Sequence, residues 1–324
     1  MSRAGLASRA RDLLRRAAVV VATAALLPAA LGTGGCGEGP RGPGAAASAP
    51  AAATRVVTDC AGVKVTLPAT IGRIVTTAPG LTSLVIALGH GAALVGVSDQ
   101  DPRTGALADL PRLPVYPSVP AEAVAVLEPD LVLVDQVLSG RDAAALRARF
   151  PRTFVTDTSQ TLDRLRETFL RVADALGRPR QGQELATELD EARRRHRVTG
   201  RPRVLVLGQV DPLPPYAIGP RGLLGDMVAS VGGENVAWDL GLPSGPIASE
   251  VVLARRPQWI LHTGGTFPDA LRTAWASVPA VADGRIADVG ADEFMQGGPR
   301  TARALARLAA LLGGARSDAQ RAPR

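Results

Sequence analysis

The chain has 324 residues, 46% of them hydrophobic and 21% charged, which is the make-up of a globular protein long enough for two cores. Its formal charge of +7 would suit a polyanion partner if it were gathered on one face. It is not: the first 36 residues carry five Arg and one Asp, the tail from Gly314 carries three Arg and one Asp, and subtracting both leaves +1 for the remainder, which removes the electrostatic case for a nucleic-acid binder.

Taken in chain order, residues 1–35 have the layout of an export signal, with arginines at 3, 9, 11, 15 and 16 followed by the apolar run "AAVVVATAALLPAALG". That run is shorter than the roughly 20 apolar residues of a membrane span, and Pro28 interrupts it. "LGTGGC" resembles a lipobox, with Thr33 where leucine is commonest, so Cys36 is the expected lipidation site. Residues 36–53 are Gly, Pro and Ala with almost nothing to bury, a flexible lipid-anchored linker. If Cys36 carries lipid, Cys60 is a small buried residue; the alternative is a Cys36–Cys60 disulfide in an oxidising envelope.

From 54 to 313 apolar runs of strand length alternate with helix-period segments, which predicts an α/β protein with parallel sheets. Strands are expected at 73–78, 93–98, 130–135, 152–157, 203–208, 258–263 and 285–290, nearly continuous in apolar residues as strands covered on both faces are. The helix "TLDRLRETFLRVADALG" carries Leu162, Leu165, Phe169, Val172 and Leu176 on one stripe and packs on a lobe. The helix after it has a stripe of only Leu185, Leu189 and Ala192, with acids ahead of arginines in the order that suits the helix dipole. Its eighteen residues from Arg180 to Arg197 would span roughly 27 Å, enough to bridge two lobes as a mostly solvated strut. The expected organisation is an N-terminal α/β lobe at 54–179, an interlobe backbone helix at 180–199, a C-terminal α/β lobe at 200–313 and a disordered tail at 314–324.

The two halves repeat. "IVTTAPGLTSLVIALG" and "LVLGQVDPLPPYAIGPRGLLGDMVASVGG" each run from a strand through a loop to an amphipathic helix stopped by glycine. "PAEAVAVLEPDLVLVD" at 120–135 returns as "ASEVVLARRPQWILHT" at 248–263, with Glu122 and Glu250 each seven residues before a proline. A carboxylate in the first turn of a helix is stabilising in itself, and Ser249 could cap the second helix.

With these segments the chain resembles the class III periplasmic binding proteins, which deliver cobalamin, iron–siderophores and haem to ATP-driven importers. The resemblance covers nearly all of 55–312 and rests on "VTDCAGVKVTLP", "RIVTTAPGLTSLVIALGHGAALVGVS", "PAEAVAVLEPDLVLV", "VGGENVA" and "GGPRTARALARLAALL", in that order. It implies two parallel-sheet α/β lobes joined by a single long backbone helix, a shallow cleft and little hinge motion. It further implies a monomeric substrate-binding lipoprotein of the cell envelope that needs no cofactor and carries a metal chelate to an ABC permease dimer in the inner membrane. In that family a glutamate on each lobe docks with arginines of a two-fold symmetric permease, and Glu122 and Glu250 stand at the matching places.

Ligands of open α/β sheets bind beyond the carboxyl ends of the strands, which draws attention to the loops near 76–80, 115–118, 135–141, 209–222, 242–246, 263–268 and 291–298. The expected ligand residues are Thr77, Pro79, Tyr116, Asp135, Gln136, Tyr216, Arg221, Ser244, Thr263, Phe267, Asp292 and Phe294. By the resemblance, Tyr116 matches a cleft aromatic of the cobalamin binder and Asp292 its corrinoid-contacting aspartate. Ser244 and Asp135 replace aromatics of that relative, which weighs against cobalamin. Arg221 beside Tyr216 would meet an anionic group, or is a solvated loop arginine. Phe267, Trp238, Trp275 and Phe294 are cleft walls or ordinary packing.

Direct metal binding is not expected, since His90, His196 and His262 show no ligand spacing. Nor is an enzyme: there is no G-x-S-x-G, H-E-x-x-H, P-loop or G-x-G-x-x-G after a strand. The competing readings are a lipid-anchored sensor or scaffold that has kept the fold, and an envelope hydrolase.

Overall fold

A computed structural model describes residues 54–158, 160–210, 214–290, 294 and 296–314; the leader, Cys36 and Asp292 lie outside them. The described chain opens on an antiparallel hairpin, β1 (Thr54–Thr58) and β2 (Lys64–Pro68), in register from Thr54↔Pro68 to Thr58↔Lys64. Its turn is built by Asp59, whose Oδ1 accepts from the N–H groups of Ala61 (3.0 Å) and Val63 (2.8 Å). Oδ2 of the same side chain accepts from Val155 N–H (3.1 Å) and Arg147 Nη2 (2.5 Å), fastening the hairpin to the first lobe. Cys60 beside it is buried and has no disulfide partner among the described residues; its Sγ is 3.5 Å from Thr168 Oγ1, and burial pushes the thiol pKa up to about 11.

All seven expected strands form. In the N-terminal lobe they are β3 (Ile74–Thr76), β4 (Leu94–Ser98), β6 (Leu131–Asp135) and β7 (Thr153–Thr156), joined by the two-residue β5 (Arg112–Leu113). The order β5-β4-β3-β6-β7 is parallel throughout. Around them lie α1 (Pro79–Ala87), α2 (Ala121–Val126), α3 (Gln136–Arg149) and α4 (Leu162–Ala175). The C-terminal lobe follows α5 (Pro179–Arg195) and holds β8 (Arg203–Gln209), β9 (Tyr216–Ile218), α6 (Leu223–Ser230), β10 (Glu234–Asn235), β11 (Ser244–Pro246), α7 (Ser249–Arg255), β12 (Trp259–His262), α8 (Asp269–Ala274), α9 (Pro279–Ala282), β13 (Ile286–Asp288) and α10 (Thr301–Leu312). Its sheet runs β11-β9-β8-β12-β13 with β10 also on β8, and it is mixed rather than parallel, because β9 and β11 pair antiparallel. The connection from β8 to β9 is too short for the crossover that a parallel pair needs, which takes about a dozen residues.

The long helix α5 does not stand free between the lobes. Gly182, Ala186, Leu189 and Ala192 form its buried stripe, made mostly of small residues, while the rest of the helix is largely exposed as its charges indicate. A Cβ at Gly182 would lie 2.3 Å from Ala173 Cβ on α4, so the two helices are in backbone-close contact. Arg166–Asp190 (2.8 Å) and Arg193–Asp163 (2.5 Å) flank that seam. One hydrophobic cluster then runs unbroken from Phe169 of α4 through Leu189 of α5 and Leu305 of α10 to Val206 and Met227 of the second lobe. The lobes are joined by a shared helical layer, of which α5 is the covalent member.

The repeat seen in the sequence is a repeat in space. Helices α1 and α6 end alike: Gly89 (φ 78°) and Gly232 (φ 94°) turn the chain so that His90 N–H reaches Val85 O and Gly233 N–H reaches Val228 O. Helices α2 and α7 are also finished alike. The residue before each proline, Glu128 (φ 42°) or Arg256 (φ 46°), is left-handed, since a following proline disfavours the helical conformation there. An arginine from the start of the lobe's central strand covers the open carbonyls. Arg73 Nη2 donates to Leu127 O (2.7 Å) and Nε to Glu128 O (3.0 Å), and Arg203 Nε donates to Arg256 O (3.2 Å). Asp130 and Gln258, at matching positions after the prolines, accept the backbone N–H of Arg73 and Arg203.

Candidate functional site

The two acid-bearing helices begin at Pro120 and Ala248, neither of which supplies a side-chain cap. Ser249 is therefore not the cap; it is the first helical residue, and its Oγ accepts from Trp275 Nε1 (3.1 Å). Glu122 projects with 80% of its side chain exposed, 3.1 Å from Arg149 Nη1. Glu250 is exposed as well, and among the described residues no ion pair reaches it. One turn further on each helix stands an exposed apolar residue, Val126 (82%) beside Glu122 and Leu253 (37%) beside Glu250. Each lobe thus presents a carboxylate with an apolar neighbour on one short helix face.

The carboxyl ends of the N-terminal strands collect polar side chains, but those residues serve each other. Thr77 Oγ1 accepts from Asp135 N–H (3.1 Å), and Asp135 Oδ2 accepts from Thr158 N–H (2.9 Å) and Oγ1 (2.6 Å). All three are buried, so Thr77 and Asp135, expected as ligand residues, offer no free surface. Asp157 beside them pairs with Arg164 (3.2 Å); burial, and then the nearby Asp135, raise its pKa. Phe267 and Phe294 are corrected in the same way. Phe267 lies in the second lobe's core against His262 (5.7 Å) and Trp275 (6.1 Å), and Phe294 is buried under Arg307 (5.9 Å). Burying a phenylalanine ring, which has no polar tip to keep in water, is favourable, and both rings turn inward.

The remaining expected residues are accessible. Pro79 opens α1 and is half-buried, Gln136 is the exposed first residue of α3, and Tyr116 precedes a cis Pro117 and is largely exposed. In the second lobe Tyr216 and Ser244 are exposed on the paired strands β9 and β11, and Thr263 is half-buried with its hydroxyl on Gly208 O (2.9 Å). Arg221 is exposed and donates to Gly241 O (3.2 Å).

Residues 296–300 bring the C-terminal part of the chain onto the first lobe. Gln296 Nε2 donates to Gln100 Oε1 (2.8 Å), and Gly297 N–H to Thr158 O (2.9 Å). A Cβ on Gly80 would fall 2.3 Å from Gly297 O, which explains glycine at the start of α1. Asp226 Oδ2, from α6, accepts Leu162 N–H at the start of α4 (2.8 Å). Pro79, Ser83, Pro102, Gln296, Arg300 and Thr301 line a small cavity at this seam. Arg300 and Gln296 were not read as site residues, although "GGPR", an arginine just before a helix, was the available signal.

Behind the seam, Asp101 is buried and accepts from Thr82 Oγ1 (3.0 Å), which also meets Thr76 Oγ1 (2.7 Å). Burial lifts its pKa to about 6, against the opposing effects of the Thr82 hydrogen bond and Arg112. A raised carboxyl pKa favours the protonated form, so the stability it contributes is complete below about pH 4 and is lost as pH rises through 6. Asp101→Asn is expected to remove that dependence. Urea unfolding from pH 4 to 7.5 should show the variant gaining about 2–3 kcal/mol on the parent across that range.

Among the described residues no group of three or more His, Cys, Asp or Glu could hold a metal ion, and no helix is long and apolar enough to cross a membrane. A family model described as periplasmic binding protein matches residues 74–293. The chain belongs to the periplasmic binding protein family. This periplasmic binding protein is 26% identical over 235 residues to the vitamin B12-binding protein of Pectobacterium carotovorum subsp. carotovorum (strain PC1), covering 70% of this chain and 83% of that one. Its fold matches the periplasmic haem-binding protein RhuT of Roseiflexus sp. RS-1 in apo form, with TM-score 0.67 and 28% identity over 76% of this chain and 99% of that chain. It also matches the periplasmic vitamin B12-binding protein BtuF of Vibrio cholerae, with TM-score 0.63 and 24% identity over 75% of this chain and 96% of that chain, a likeness of fold. The family binds substrates rather than transforming them, and its members work outside the cytoplasm with ABC importers.

Proposed function

We propose that this periplasmic binding protein captures a metal chelate, a corrinoid, haem or an iron(III)-siderophore, in the cleft between its lobes and hands it to a two-fold symmetric ABC permease. The observation that carries the reading is the twin construction of α2 and α7: the same acid, the same left-handed exit before proline and the same arginine brace, 128 residues apart. A partner with two equivalent basic sockets calls for two equivalent acids on rigid mounts. Vitamin B12 and haem, the ligands of these relatives, are both metal-centred macrocycles, which supports the chelate class.

The ligand residues of this reading are Pro79, Tyr116, Gln136, Tyr216, Arg221, Ser244 and Thr263, with Asp292 on the last loop and Arg300 as a cation for an anionic group on the chelate. Cys36 is the lipid attachment point and residues 36–53 the tether, which keep the body at the membrane where the permease sits.

Titrating the purified protein with hydroxocobalamin, hemin and a ferric hydroxamate siderophore, while following tryptophan fluorescence, tests the reading. One of them should quench with micromolar or tighter Kd. No response to any of the three would overturn it.

A further inference from the structure

Beside Glu250 the second lobe contains a cavity of about 300 Å³ that the chelate reading leaves unused. Its walls include Ala237, Leu240, Ile247, Ala248 and Val251, so two of its lining residues flank Glu250 on α7 and the chain leading into it. Arg255 closes one side, held by a two-pronged ion pair with Asp239 (2.7 and 2.6 Å) and lying over the Trp238 ring (5.3 Å). The Arg255–Asp239 pair is self-neutralising, whereas Glu250, adjacent in sequence to the lining residue Val251, is an exposed carboxylate that no ion pair reaches among the described residues. On the same stretch Trp238 is 63% exposed and Leu242 65% exposed, a concentration of apolar surface of the kind that marks interaction sites.

We propose that this cavity is a second attachment point for the permease: it receives a bulky apolar side chain from the permease segment whose basic residue pairs with Glu250. The inference rests on the docking role given to Glu250 above. Charge and shape agree on the occupant. An acid next in sequence to the wall of an apolar hollow, with an exposed tryptophan stacked on the arginine of that wall, is complementary to a cation with an apolar neighbour in sequence. A buried apolar anchor surrounded by a charged rim is the usual seat of binding energy in an interface. At about 300 Å³ the hollow sits at the small end of ligand sites, sized for a side chain rather than a macrocycle.

The test fills the hollow from two walls separately, with Val251→Trp and Ala248→Phe, in the full-length protein expressed in cells lacking their own copy. Uptake of hemin and of hydroxocobalamin is measured beside the affinity of the purified variants for the same chelates, with Glu250→Arg as reference. The expected result is chelate affinity within twofold of the parent and uptake reduced at least tenfold in both filled variants, as in Glu250→Arg. Parental uptake in both filled variants, with uptake lost in Glu250→Arg, overturns this inference and leaves the docking reading standing. Loss of chelate affinity in the filled variants would assign the hollow to the chelate and overturn it too. Parental uptake in Glu250→Arg removes the docking role and this inference with it. Because the two substitutions enter from different walls, a folding defect in one does not decide the outcome.

Discussion

Reversing both Glu122 and Glu250 to arginine is expected to leave chelate affinity within twofold of the parent and to cut uptake at least a hundredfold. Each carboxylate is exposed in the first turn of a short helix, and neither is among the residues expected to meet the chelate. Reversal sets a cation against the partner's cation, and like charges in an interface cost several kcal/mol each. The two single variants should differ. Glu122 already has Arg149 at 3.1 Å, but both side chains are at least half exposed and such pairs are worth about 0–1 kcal/mol, so exchanging Arg149 for a permease cation is cheap. Losing Glu122 should therefore harm uptake somewhat less than losing Glu250, whose neighbourhood offers no competing ion pair among the described residues. Undiminished uptake in the double variant would refute the docking role.

Asp59→Ala is expected to be the most damaging single change to stability, costing about 3–5 kcal/mol in urea unfolding. The Asp59 carboxylate is fully buried and takes N–H donors from Ala61, Val63 and Val155 as well as the Arg147 guanidinium. Alanine leaves three backbone donors and a partly buried cation without their acceptor at once. Arg147→Ala should cost clearly less, because that side chain is a quarter exposed and the carboxylate keeps its three N–H donors. Losses of similar size in the two variants would show that the ion pair, rather than the backbone donors, dominates.

Much of this architecture is legible in the sequence. The seven principal strands centre on apolar runs, four residues long at Leu131–Val134 of β6 and Val204–Leu207 of β8, because both faces of each sheet are covered and a two-sided strand has no polar side to interrupt the run. Residue type and spacing also carry the twin acids, their prolines and the glycine stops. The β1–β2 hairpin alternates in burial and turns at Asp59 and Gly62, so its signal was present and unused. Strands β9 and β11 could not be read: Tyr216–Ile218 and Ser244–Pro246 sit among prolines and glycines with no apolar run, and they exist because β8 offers its backbone to β9 and β9 in turn to β11. Helix α5 is largely solvated as its charges indicate, but its packing on α4 could not be read, since Gly182 and Ala186 contribute little hydrophobicity yet let the two helices approach closely.

The sequence alone determined the local elements, the placement of charge along the chain and the matched positions of Glu122 and Glu250, all of which depend on neighbours a few residues away. Only the tertiary structure decided which polar side chains are buried against one another. Thr77 and Asp135 are spent on each other across 58 residues, and Gln100 meets Gln296 across 196. A buried hydrogen-bonding group must find a partner wherever the fold brings one, and its own stretch of sequence records only that the group is polar.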